Sequence, residues 1–156
     1  MKKLLLAAII SLTTISSVAL AEIKVGIILG FTGPIETLTP AMRDSAKLAF
    51  AEVSASGALL GGETITPLIA DSTCVDSDAA VAAAELIVSD GAVAIMGADC
   101  SGVTGAIVTN VAVPNGITMV SPSATSPGLT SLADNGLFFR TAPSDAKGGQ
   151  VLAQVA

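Results

Sequence analysis

Histidine is missing from all 156 residues of this chain, and cysteine occurs only twice. Without histidine there is no common general base, no imidazole metal ligand and no Ser-His or Cys-His nucleophile pair. An exported hydrolase would have to draw that residue from elsewhere. Cations are scarce too: past residue 21 only Lys24, Arg43, Lys47, Arg140 and Lys147 stand against thirteen carboxylates, a formal charge of −8. Nucleic acid and anionic membrane surfaces attract clustered Lys and Arg, so neither is an expected partner. The glycines of "GIILGFTGP" (Gly26, Gly30, Gly33) lack the GxGxxG spacing of a dinucleotide loop. Asp71, Asp76, Asp78 and Asp99 lack the spacing of an EF-hand, and capping and solvation account for them more simply. No cofactor and no metal are expected.

The first residues set the compartment. Lys2 and Lys3 precede an apolar run from Leu4 to Ile10, and Ala19-Leu20-Ala21 closes the segment with small residues. That is the pattern of a secretory signal peptide cut after Ala21; the apolar core is shorter than the roughly 20 residues of a membrane span. Residues 22–156 then form about one domain by length. In an exported chain Cys74 and Cys100 allow a single intramolecular pairing, and closing that loop stabilises the fold by about 3–4 kcal/mol in the chain-entropy view.

Apolar β-type runs alternate with Ala-rich segments of helical length. Strands are expected at Ile23 to Leu29, Thr64 to Ala70, Ala92 to Gly97, Ile117 to Ser121 and Leu137 to Thr141. Helices are expected at Pro40 to Ala55, Ser77 to Ser89, Gly102 to Val111 and from Ser144 onward. The strands are nearly continuous in hydrophobicity, so both sheet faces should be covered. Strand and helix in alternation give an α/β fold, a doubly wound parallel sheet with helices on both faces. Thr39 reads as an N-cap followed by Pro40 at the first helical position, and Asp76 as the cap of the second helix. Gly57, Gly91 and Pro114-Asn115-Gly116 read as stops. Pro67 marks its strand as an edge or a bulge. The last helix meets the C-terminus without a stop signal, as a truncated product would.

In an open parallel sheet, ligands bind outside the carboxyl ends of the strands. Here those ends are Gly30 to Leu38, Asp71 to Asp76, Ala98 to Ser101 and Ser121 to Ser126, and none carries Lys, Arg or His. Hydroxyls and backbone groups, suited to a small polar ligand, dominate instead. Ser101 begins a helix, where a carboxylate is favoured by free N–H groups and the helix dipole; a plain helix cap is the alternative. Ser123 and Thr125 in "SPSATSP" offer N–H groups and hydroxyls in one loop, or simply form a proline-shaped turn. Asp99 has no role that the sequence supplies.

From "IKVGIILGFTGP" through the Cys74 and Cys100 pair, "SPSATSPGLT" and "FFRTAPSD", the chain resembles the periplasmic branched-chain amino-acid-binding proteins of ABC transporters, the type I periplasmic binding fold. The resemblance implies a two-lobed protein that closes around an amino acid and delivers it to a membrane permease. By the resemblance it is expected to be no enzyme and to work in the periplasm as a monomer. Residues 22–156 correspond to its first lobe, the second lobe being absent. By the resemblance Ser101 holds the ligand's carboxylate, the Ser123 carbonyl receives the ammonium, and Thr125 binds both groups. Leu38 falls where the side-chain pocket is lined, often by an aromatic residue. The Cys74–Cys100 disulfide would fix the backbone that presents Ser101. Relatives that bind urea, short amides or aromatic acids are the alternative, as is the sensing ectodomain of a signalling receptor.

Overall fold

The computed structural model describes residues 22–156. The signal-peptide reading and its cleavage point lie outside that range. Five strands, β1 (Glu22–Leu29), β2 (Thr64–Asp71), β3 (Ala92–Gly97), β4 (Thr118–Ser121) and β5 (Phe138–Arg140), form one sheet in the order β2-β1-β3-β4-β5. Every pairing is parallel. β2 lies at the edge, paired through Pro67 to Val25, which is where a residue without an N–H is tolerated.

Both faces of β1 explain its unbroken apolar run. Ile27 and Leu29 pack with Ala46, Met42 and Phe50 of α1 (Thr39–Ser56). Ile28 faces the other way, into the larger core with Ala80, Ala84 and Ile87 of α2 (Ser77–Ser89) and with Val103 and Ile107 of α3 (Ser101–Ile107). Alternate residues of one strand thus enter two cores. On the α1 side the cover does not reach the far strands: Val120 and Phe139 remain 37% and 55% exposed. The last helix, α5 (Asp145–Val155), buries no residue.

Two start and stop readings need correction. Thr39 is not the cap of α1. Leu38 occupies that position, and the buried Thr39 hydroxyl donates to the carbonyls of Gly30 and Glu36 at 3.2 and 3.3 Å. A hydroxyl shut into the core finds carbonyls nearer than helix N–H groups. The third helix also runs past the expected Val111, and the Pro114-Asn115-Gly116 stop acts at its far end. α3 continues through a π-helical turn (Val108–Ala112) into α4 (Val113–Asn115), and the left-handed Gly116 closes it. The wider turn accommodates a proline that supplies no N–H and would crowd the carbonyl four residues back. The Asp76 cap is as expected, its carboxylate accepting from Asp78 N and Ala79 N at 3.1 and 3.0 Å. No helix among the described residues is long and apolar enough to cross a membrane.

Candidate functional site

Parallel strands bring the segments after β1, β2, β3 and β4 to one edge of the sheet. Asp99, two residues past the end of β3 and only 3% exposed, joins them. Its Oδ2 accepts from Gly30 N at 2.7 Å, and its Oδ1 from Cys100 N at 2.9 Å and Ser72 Oγ at 3.3 Å. Its backbone carbonyl accepts from Ser123 Oγ at 3.0 Å. One buried residue therefore fixes four loop segments. The Cys74–Cys100 disulfide forms, with a Cα–Cα distance of 5.2 Å, and ties the β2 and β3 loops a second time. Gly30 lies close under the β2 loop: a Cβ there would come within 3.1 Å of the Cys74 Cβ, so that loop would have to give by a few tenths of an ångström.

Asp71, at the carboxyl end of β2, folds the β1 loop over this edge. Its Oδ1 accepts from Phe31 N at 2.9 Å, Thr32 N at 3.3 Å and Thr73 N at 2.8 Å; its Oδ2 accepts from Thr32 Oγ1 at 2.6 Å. Partial burial raises the carboxyl's pKa, but the Thr32 hydroxyl and the three N–H groups together outweigh it and hold the group below its ordinary 3.8. Asp71, Asp76 and Asp99 hold three different local structures, and Asp78 belongs to the turn that Asp76 caps. Among the described residues no group of His, Cys, Asp or Glu has a metal-holding arrangement.

Three of the four residues singled out in the sequence come together. Ser101 does not cap its own helix; the cap position is Cys100, which makes no side-chain cap bond. Instead Ser101 Oγ accepts from Thr125 N and Ser126 N, each at 3.1 Å. The 123–126 loop accordingly does not present these N–H groups to the outside, contrary to the sequence reading. Thr125 Oγ1 donates to Asp145 Oδ2 at 3.0 Å, and Thr125 O accepts from Asp145 N at 2.9 Å. Leu38 shares the edge but none of these bonds, and its side chain is 58% exposed.

Two participants were not legible in the sequence. Arg140 brings a cation to an edge whose own loops have none: Nη1 donates to Ser126 O at 2.8 Å and Ala124 O at 3.3 Å, Nη2 to Thr130 Oγ1 at 2.5 Å. Asp145 reaches Thr125 from the first turn of α5. Both sit in the quoted stretch "FFRTAPSD", where a charged residue at a strand end and another after a serine cap were the available signals.

Known proteins are similar to this chain in sequence and fold. The model of the family described as periplasmic binding protein matches residues 22–156. This chain belongs to that family. Among its relatives, the Leu/Ile/Val-binding protein BraC3 of Rhizobium johnstonii is 32% identical over 128 residues, 82% of this chain and 34% of that protein. The present periplasmic binding protein chain thus spans about a third of its relative's length. Of solved structures, the branched-chain amino acid substrate-binding protein LivJ of Streptococcus pneumoniae, in complex with isoleucine, superposes with a TM-score of 0.70 at 29% identity, covering 80% of this chain and 35% of that one. A solute-binding protein of R. palustris in complex with benzoate gives 0.68 at 27% identity, covering 81% and 34%. The type I periplasmic binding fold expected from the sequence is therefore the fold observed, one lobe of it being described.

Proposed function

We propose that this chain is the first lobe of a periplasmic solute-binding protein that takes up a branched-chain or similar α-amino acid, performs no chemistry on it, and delivers it to the membrane permease of an ABC transporter. The observation that carries the reading is the polarity of the two hydroxyls. Ser101 Oγ receives two N–H groups, so its own proton is the part left to offer, which suits a carboxylate. Thr125 Oγ1 has given its proton to Asp145, so its oxygen is the part left, which suits an ammonium. The Ser123 carbonyl belongs to the same loop, and the bond from Ser123 Oγ to Asp99 O anchors that residue. In this reading the first N–H groups of the helix that opens at Ser101 add to the carboxylate site, and Leu38 lines the side-chain pocket. The bound isoleucine of the LivJ structure supports it.

Benzoate in a comparably similar structure supports a second reading, an aromatic-acid receptor. Thermal unfolding of the full-length protein separates the two. A ligand that binds only the folded state adds about 2.7 kcal/mol at a hundredfold excess over its Kd, a rise of several degrees. The expected result is a rise with leucine or isoleucine and none with benzoate or urea, lost in Ser101→Ala. A rise with benzoate alone would replace the amino-acid reading by the second.

A further inference from the structure

The hydrogen bonds at Thr125 have directions that chemistry fixes. A carboxylate can only accept, so the 3.0 Å contact between Thr125 Oγ1 and Asp145 Oδ2 spends the threonine's proton. Asp145 is itself held in place by donation from its own N–H to Thr125 O at 2.9 Å, and by the Ser144 cap, whose hydroxyl accepts from Ala146 N at 3.3 Å. Some 20 residues apart in sequence, the two side chains form a closed two-point link between the β4 loop and α5. At Ser101 the pattern is reversed: its oxygen accepts from Thr125 N and Ser126 N, and among the described residues no acceptor takes its proton. Neighbouring hydroxyls, equivalent in composition, are thereby set to opposite tasks.

We propose that Asp145 is a specificity-determining positioning residue: by accepting the Thr125 proton it holds that hydroxyl as an acceptor, so that the edge selects ligands carrying a cationic donor beside their carboxylate and rejects simple carboxylic acids. This rests on the amino-acid reading above. A hydroxyl free to turn would donate to a second carboxylate oxygen, and an acid without an ammonium would then be bound nearly as well. With its proton committed, Thr125 meets such an acid with lone pairs against lone pairs.

The test is equilibrium binding by the full-length protein of L-leucine and of 4-methylpentanoate, which has the same skeleton without the ammonium. The wild-type protein should prefer leucine. In Asp145→Ala the preference should fall about tenfold, the magnitude of one charge-assisted bond, through weaker leucine binding while the acid is bound as well or better. Asp145→Asn, whose amide oxygen still accepts the proton, should restore most of it. Thr125→Val should lower the preference and remove any further effect of Asp145→Ala, and Asp145→Leu, apolar and close in size, takes the place of the alanine variant if that one does not fold. Equal losses for both ligands, an asparagine variant that behaves like alanine, or an unchanged preference in Thr125→Val would each overturn the proposal while leaving the amino-acid reading in place. A wild-type protein that prefers the acid, or binds neither, would overturn both.

Discussion

Carboxylates do three separate jobs at this edge, and each depends on what surrounds one side chain. Asp99 is buried against donors only, Asp71 is half-buried and collects four, and Asp145 takes one proton from one hydroxyl. The Asp71 arrangement makes a pH prediction. Its pKa is depressed in the folded state, so its contribution to stability is fully present above the unfolded value of 3.8 and is lost as the pH falls through the lower folded value. The unfolding midpoint should therefore drop on acidification below about pH 4, and Asp71→Asn should be less stable at neutral pH yet change less over the acid range. Equal acid slopes in the two proteins would show that other groups set the acid limit. Of these residues the sequence revealed identity and place on a loop, but not task. A task is a set of partners, and Gly30 and Ser72 meet Asp99 from 69 and 27 residues away.

At the level of elements, β3 shows how backbone approach limits sequence. Gly97 ends the strand with φ at +134°, and a Cβ built there would lie 2.0 Å from the carbonyl oxygen of Ile28 in β1. The obstacle is main chain in the centre of the sheet and has no room to retreat. Gly97→Ala should cost at least about 3 kcal/mol, through combined strain and overpacking, seen as a lowered denaturant midpoint or loss of soluble protein. A variant within about 0.5 kcal/mol of wild type would mean that the strand end is softer than this packing implies. Element positions were legible because strands β1 and β3 are short apolar runs with glycine and polar breaks, and α2 is a capped alanine-rich segment. The misread cap at Thr39 was decided by the carbonyls of Gly30 and Glu36, and the helix expected to end at Val111 was carried on to Asn115 through a widened turn.

For the molecule as a whole, the carboxyl edge of the sheet, where the proposed ligand would sit, is held by two links in parallel. The disulfide and the Asp99 hydrogen bonds both join the β2 loop to the β3 loop that presents Ser101. Reducing a cross-link with a sequence separation of 26 should lower unfolding stability by about 3.5 kcal/mol. The effect on leucine affinity should be larger in Asp99→Asn, where the amide places a donor against a donor, than in the wild-type protein, where Asp99 still holds the loops. Leucine titrations of both proteins, oxidised and reduced, measure that coupling directly. Equal affinity losses on reduction in the two backgrounds would show the links to be independent.

Sequence alone determined the architecture. Hydrophobic runs of strand length, helix periods and caps are local, and parallel α/β topology follows from their alternation; the single possible cysteine pairing and the placement of Ser101, Ser123 and Thr125 at strand ends follow too. The tertiary structure decided how those residues are used. Which hydroxyl donates and which accepts, why Asp99 is buried, and how Arg140 and Asp145 reach loops that precede them all depend on contacts between segments far apart in the chain. A hydrogen bond's direction is set by the group across from it, and only folding brings that group there.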